Sequence, residues 1–205
     1  MNFYEYDYLI GVDEVGRGSL AGPLVASAVA VKTANLSKLE RIVDSKKQTQ
    51  SQRIKNMREL FPCVEYFSVV SIPSAFIDRY GIKKANRFAL EKALFSVLTR
   101  ISPEKSSLVL VDHFHLQFSH PGARIYSFSH ADSQFGIVSL AATLAKVLRD
   151  LCLTCLEELY PSYSFSCHKG YGTDGHLKEL LISGPVKIHR KSFRPICQPK
   201  LFKQS

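Results

Sequence analysis

A chain of 205 residues, 45% hydrophobic and 22% charged, is long enough to bury a core as one domain and too apolar to be a disordered tail. Eleven glycines and nine prolines exclude a fibrous or low-complexity chain. Twenty-seven Lys and Arg against eighteen Asp and Glu leave a net charge of +9, which points to a polyanionic partner such as nucleic acid, because basic side chains neutralise phosphates and release counterions.

Tyr8 to Val12 reads as a first strand that ends in Asp13-Glu14. A turn rich in glycine (Gly16, Gly18, Gly22) leads to a second strand, Leu24 to Val31. Ile54, Met57 and Leu60 share one face of a helix over Gln50 to Leu60, and Val64 to Ile72 is a third strand. Lys84 to Arg100 is an amphipathic helix with Phe88, Leu94, Val97 and Leu98 on its apolar stripe. The short apolar run Leu108 to Val111, a strand of the kind buried on both faces, ends in Asp112. Arg124 to Phe128 is a fifth strand. The longest helix, Val138 to Leu159, places Leu140, Leu144, Val147, Leu148, Leu151 and Leu159 in register. From Pro161 the chain is polar and irregular, with a short helix near His176 to Ile182 and a basic tail. This order predicts a mixed α/β domain with a helical C-terminal appendage.

Five scattered cysteines, an odd number, suggest reduced thiols and a cytoplasmic protein. The acidic, aromatic start does not read as a signal peptide, and no window of about 18 residues is free of charge, so no membrane span is expected. Cys152 and Cys155 have metal-like spacing but lie in an apolar helix with no second pair, which predicts core packing. His113, His115, His120 and His130 read as surface-loop residues, although one near the acids could assist proton transfer.

The acids carry the chemistry. Neighbouring side chains on a strand point to opposite faces, so Asp13 and Glu14 can share a site only where the strand ends or bulges. Asp112 sits at another strand end, and Asp132 lies between the fifth strand and the long helix. Four gathered carboxylates repel one another unless cations neutralise them, and hard oxygen donors select Mg²⁺ or Mn²⁺. Two such ions activate a water and stabilise the leaving oxygen of a phosphodiester. The separate reading of each acid is a solvated or capping side chain.

The stretch Gly11-Val-Asp-Glu-Val-Gly-Arg-Gly-Ser-Leu-Ala-Gly-Pro23 closely resembles the opening motif of type 2 ribonuclease H, ribonuclease HII. Asp44-Ser45-Lys46-Lys47, Leu110-Val111-Asp112, Ala131-Asp132, Ala145 to Asp150, His168 to Thr173 with His176, and Ile188 to Phe193 resemble its later motifs in the family's order. The resemblance implies an α/β ribonuclease H-like fold, with a five-stranded mixed sheet flanked by helices and a helical C-terminal extension. It divides the chain into a catalytic domain over 1–160 and an extension over 161–205 that completes the substrate site within one structural unit.

The implied activity is hydrolysis of the RNA strand of RNA–DNA hybrids and cutting at single ribonucleotides in duplex DNA. Products would carry 3′-hydroxyl and 5′-phosphate ends. Asp13, Glu14, Asp112 and Asp132 would hold two Mn²⁺ or Mg²⁺ ions and catalyse. Gly16, Arg17 and Gly18 would sense the ribose 2′-hydroxyl, and Tyr171 would pack on the sugar. Lys46, Lys47, Lys146, Lys169, Arg190 and Lys191 are candidate phosphate contacts. A monomer is expected, and the alternative is a non-catalytic nucleic-acid-binding protein of the same fold.

Val15 stands where the family commonly has Ala, Ser19 where Pro is common, His113 where Gly follows the third acid, Ala142 where a Ser precedes the helix Lys, and Cys167 where Lys precedes His168. The Asp-Glu-Val-Gly string is shared with the sister type, ribonuclease HIII, but Arg17 fits the HII type better.

Overall fold

The computed structural model describes residues 2–39 and 50–198. Five strands, β1 (Tyr8–Val15), β2 (Leu24–Lys32), β3 (Val64–Ile72), β4 (Ser107–Asp112) and β5 (Ala123–Phe128), form one sheet in the order β3-β2-β1-β4-β5. The β1–β2 and β2–β3 pairs are antiparallel, whereas β1–β4 and β4–β5 are parallel. The helices are α1 (Leu36–Leu39), α2 (Gln50–Leu60), α3 (Ser74–Tyr80), α4 (Ile82–Leu98), α5 (Gly136–Leu159), α6 (Phe165–His168) and α7 (Asp174–Ser183).

Strand alternation builds two cores. Tyr8, Ile10 and Val12 of β1 pack with Val109 and Val111 of β4 beneath α4. Leu9, Leu108 and Leu110 pack on the other face beneath α5. On the α4 side, Ala26, Ala28 and Ala30 share the core with Ala85, Ala89 and Ala93, small side chains that let helix and sheet approach closely. On the α5 side a glycine permits the approach. A Cβ on Gly11 would lie 2.3 Å from the Ile137 carbonyl oxygen, so only glycine lets the start of α5 cross β1 there. Ser27 Oγ then donates to the Ala141 carbonyl at 2.7 Å and ties α5 to β2.

A third cluster holds the C-terminal segment, with Leu20, Ala21, Leu153, Tyr163, Phe165 and Leu180 buried together. It joins the turn after β1 to α5, α6 and α7. No helix among the described residues is long and apolar enough to cross a membrane.

Several sequence-based expectations need correction. The first strand does not end at Val12: β1 stays paired to β2 as far as Val15, and only its pairing to β4 stops at Val12. The stripe expected on α4 included Phe88, but Phe88 is exposed and stacks on Phe76, while Asn86 and the alanines face the sheet. On α5, Leu148, Leu151 and Leu159 are exposed, whereas Arg149 and Asp150 are buried. Cys155 is exposed and Cys152 half-buried, so neither is a core thiol. Three short helices, α1, α3 and α6, fall where no helix was expected.

Candidate active site

The acids gather where the parallel pair β1–β4 splays. Asp13 and Glu14 keep strand alternation. Asp13 lies opposite Ser27 on the α5 face, and Glu14 lies opposite Ala26 on the α4 face. Both border the gap left where β4 no longer pairs. Asp112 ends β4 on the α5 face, and its Oδ1 accepts the Ala131 N–H at 2.7 Å. That bond shapes the 3-10 turn Ala131–Ser133, which carries Asp132.

Burial pushes the Asp13 carboxyl well above its usual range, and the charges of Glu14, Asp112 and Asp132 push it the same way. Glu14 is also raised, by burial first, against the lowering pull of Arg17 and Asn86. Asn86 Nδ2 donates to Glu14 Oε1 at 3.1 Å, and Arg17 lies 3.4 Å from the same oxygen. The other carboxylate oxygen, Glu14 Oε2, is buried with no hydrogen-bond partner among the described residues. Asn86 was not anticipated from sequence, because one Asn in an alanine-rich helix carries no motif.

Four mutually repelling carboxylates, with an orphaned oxygen on one of them, fit a hard divalent cation. No group of three or more His, Cys, Asp or Glu among the described residues is arranged to hold an ion on protein atoms alone.

Beside the acids, the turn from Gly16 to Pro23 is held by two fully buried arginines. Arg149 of α5 donates to the carbonyls of Pro23 (2.9 Å), Lys169 (3.0 Å) and Ala21 (3.2 Å), and to Ser19 Oγ (2.8 Å). Arg190 donates to the carbonyls of Arg17 (2.8 Å) and Gly22 (3.1 Å). Burial lowers both guanidinium pKa values, that of Arg190 to about 10. Leu20 and Ala21 N–H groups donate to the Gly170 carbonyl, and the Tyr171 ring lies 5.3 Å from the Arg149 guanidinium carbon. The Gly16 turn and the Tyr171 loop are thus one unit built around Arg149.

Arg190 therefore departs from its expected place: it is buried against carbonyls and does not face a phosphate. Lys146 is paired with Asp150 at 2.8 Å. Lys169 has left-handed backbone and caps α6, Lys191 is exposed, and Arg17 and Gly18 are exposed at the tip of the turn. Lys46 and Lys47 lie outside the described residues. Of the loop histidines, His113, His115 and His130 are exposed and His120 is half-buried. Left-handed backbone at His113 (φ 48°) accounts physically for a position at which glycine is usual. Nothing in the structure explains the Ala142 departure.

Gly16 is required by this internal packing. Its φ is +89°, and a Cβ would lie 2.3 Å from Arg149 Nε. Gly16→Ala is expected to lower stability by about 1–3 kcal/mol from backbone strain alone, before the clash is added. The shift of the urea midpoint measures it, and an unchanged midpoint would show that the turn relaxes freely.

The five-stranded sheet in the order β3-β2-β1-β4-β5, flanked by helices, is a ribonuclease H-like fold. The ribonuclease HII family profile matches residues 10–196. A ribonuclease HII of Pseudothermotoga lettingae is 37% identical over 95% of this chain and 81% of its own length. One from Acholeplasma laidlawii is 37% identical over 97% of this chain and 92% of its own length. The crystal structure of the ribonuclease H2 from Pyrococcus horikoshii OT3 superposes with a TM-score of 0.75 at 26% identity, covering 95% of this chain and 97% of that one. The chain belongs to the ribonuclease HII family.

Proposed function

We propose that this protein hydrolyses the RNA strand of RNA–DNA hybrids and cuts at single ribonucleotides within duplex DNA, leaving 3′-hydroxyl and 5′-phosphate ends. The observation that carries this reading is the four-acid cluster of Asp13, Glu14, Asp112 and Asp132 set directly against the arginine-braced Gly16 turn. Family membership supports it. Two Mg²⁺ or Mn²⁺ ions, when bound by these acids, supply an activated water and stabilise the leaving oxygen.

The chain's own residues orient the substrate. With its carbonyls turned inward to Arg149 and Arg190, the turn presents the exposed Gly18 and Arg17 to the minor groove, where the 2′-hydroxyl marks a ribonucleotide. A polar site built for that hydroxyl rejects deoxyribose because its own groups would stay unpaired. The segment from 161 onward, carrying Lys169 and Tyr171, completes the substrate surface.

The test is cleavage of a DNA duplex carrying one ribonucleotide, with Mg²⁺ or Mn²⁺ and with excess EDTA. Cutting only with metal, at the ribonucleotide, supports the reading. Full activity in EDTA, or equal cutting of all-DNA duplex, overturns it. Duplex affinity should also fall with salt, by about tenfold or more between roughly 50 and 200 mM, in line with a basic surface that contacts several phosphates. An affinity flat in salt would show that phosphate contacts contribute little.

A further inference from the structure

Behind Tyr171 lies a buried set of three histidines that the reaction does not use. His176 and His189 are fully buried, and their Nε2 atoms are 3.0 Å apart. The surrounding bonds allow one proton arrangement. The Val186 N–H donates to His189 Nδ1 at 3.0 Å, so the neutral His189 ring carries its proton on Nε2. That proton goes to His176 Nε2, which leaves the His176 proton on Nδ1, 2.9 Å from the Tyr171 carbonyl oxygen. An added proton on either ring would set two N–H groups head to head.

The neighbours keep these rings neutral. His168 stacks on His176 with centroids 4.1 Å apart and planes 9° apart. His168 Nδ1 accepts the Gly170 N–H at 3.1 Å, and its Nε2–H donates to Glu179 at 3.0 Å. Tyr163 meets His176 edge-on and donates its hydroxyl to the Gly184 carbonyl. Arg149 lies under the Tyr171 ring, and Arg190 is turned towards the Gly22 and Arg17 carbonyls. Glu179 is the one carboxylate bonded to the histidine set among the described residues, and its partner is His168. Burial, reinforced by neighbouring histidines, lowers His176 and takes His189 down to about 4.

We propose that His176, held in one tautomer by His189, is a positioning residue that fixes the Tyr171 backbone against the ribonucleotide. The Tyr171 N–H is already held by the His168 carbonyl at 2.9 Å. The histidine chain holds its carbonyl side together with the Thr173 N–H, which donates to the same oxygen at 2.8 Å, so the ring approaches the sugar from a set backbone. The inference rests on the substrate reading above.

Two measurements test it. Histidine ¹⁵N shifts of the protein at pH 7 should show a protonated Nδ1 on His176 and a protonated Nε2 on His189. Any other pair of tautomers overturns the proposal.

The second measurement compares binding of a single-ribonucleotide duplex with binding of the same duplex in all-DNA form, with Mg²⁺, in an Asp112→Asn background to prevent cutting. His189→Asn keeps an acceptor for Val186 but removes the donor to His176. It should lower the preference for the ribonucleotide by about fivefold, the size of one lost neutral hydrogen bond, and leave all-DNA affinity within about twofold. His189→Gln returns an amide donor near the lost Nε2 and should recover most of the preference. An unchanged preference in His189→Asn, or a parallel loss on both duplexes, overturns the proposal. A background protein with no preference at all overturns the substrate reading instead.

Discussion

Asp112→Asn is expected to reduce cleavage of a single-ribonucleotide duplex by roughly 10²-fold or more, the scale of removing one preorganised electrostatic stabiliser at a reacting centre. The fold should survive, because Asn still accepts the Ala131 N–H that shapes the turn carrying Asp132. Asp13→Asn should be as inactive and, in addition, more stable at neutral pH. The sign follows from the raised Asp13 carboxyl. The folded chain holds a proton there at pH values where the unfolded chain has lost it. That preference favours the fold in acid and is lost as pH rises through the folded-state value, leaving a buried, repelled charge. Asn removes the charge, so the urea midpoint at pH 7 should rise as cleavage disappears. A fully active Asp112→Asn protein, or an Asp13→Asn protein destabilised at pH 7, would contradict this account of the site.

Arg149→Ala is expected to lower stability by about 3 kcal/mol or more. The substitution leaves three carbonyls and the Ser19 hydroxyl without their donor and opens a cavity beneath Tyr171. Arg149→Lys should recover only part of the loss, since one ammonium cannot copy a planar fork that reaches four acceptors. Both variants should lose cleavage beyond their loss of folded protein, because the Gly16 turn and the Tyr171 loop share this one support. Urea unfolding, with cleavage measured well below the midpoint, separates the two effects. An Arg149→Ala protein as stable as the parent would show that water satisfies the turn equally well.

Much of this architecture was legible in the residues. The five strands announce themselves as apolar or alternating runs, and the acids stand out because Asp13 and Glu14 break an apolar run, Asp112 ends one and Asp132 precedes the long helix. The phase of α5 was not legible. Leucine spacing points to Leu148 and Leu151, but the helix lies close to the sheet through Gly11 and Ala141 and turns Arg149 inward. No hydrophobicity pattern shows a buried arginine whose partners are carbonyls of a distant turn. Arg190 was misplaced for the same reason, since a basic residue in a basic tail reads as surface. Asn86 escaped, and His168, His176 and His189, although they fall within the motifs read from sequence, gave no sign of their pairing, because the partners come from other elements or from the far side of a loop.

The braces on the Gly16 turn also bear on when the enzyme becomes competent. The turn joins two strands that pair as neighbours in sequence, yet its supports arrive 126 residues later from Arg149 and 173 residues later from Arg190. Pairing of β1 with β2 is local in sequence, but it cannot by itself shape the turn between them. A chain still emerging during synthesis has Asp13 and Glu14 in place, but the turn beside them stays unbraced until Arg149 and then Arg190 have been added. Setting of the turn thus waits on Arg190, and a chain truncated before Arg190 is expected to form its sheet but leave the turn without this brace.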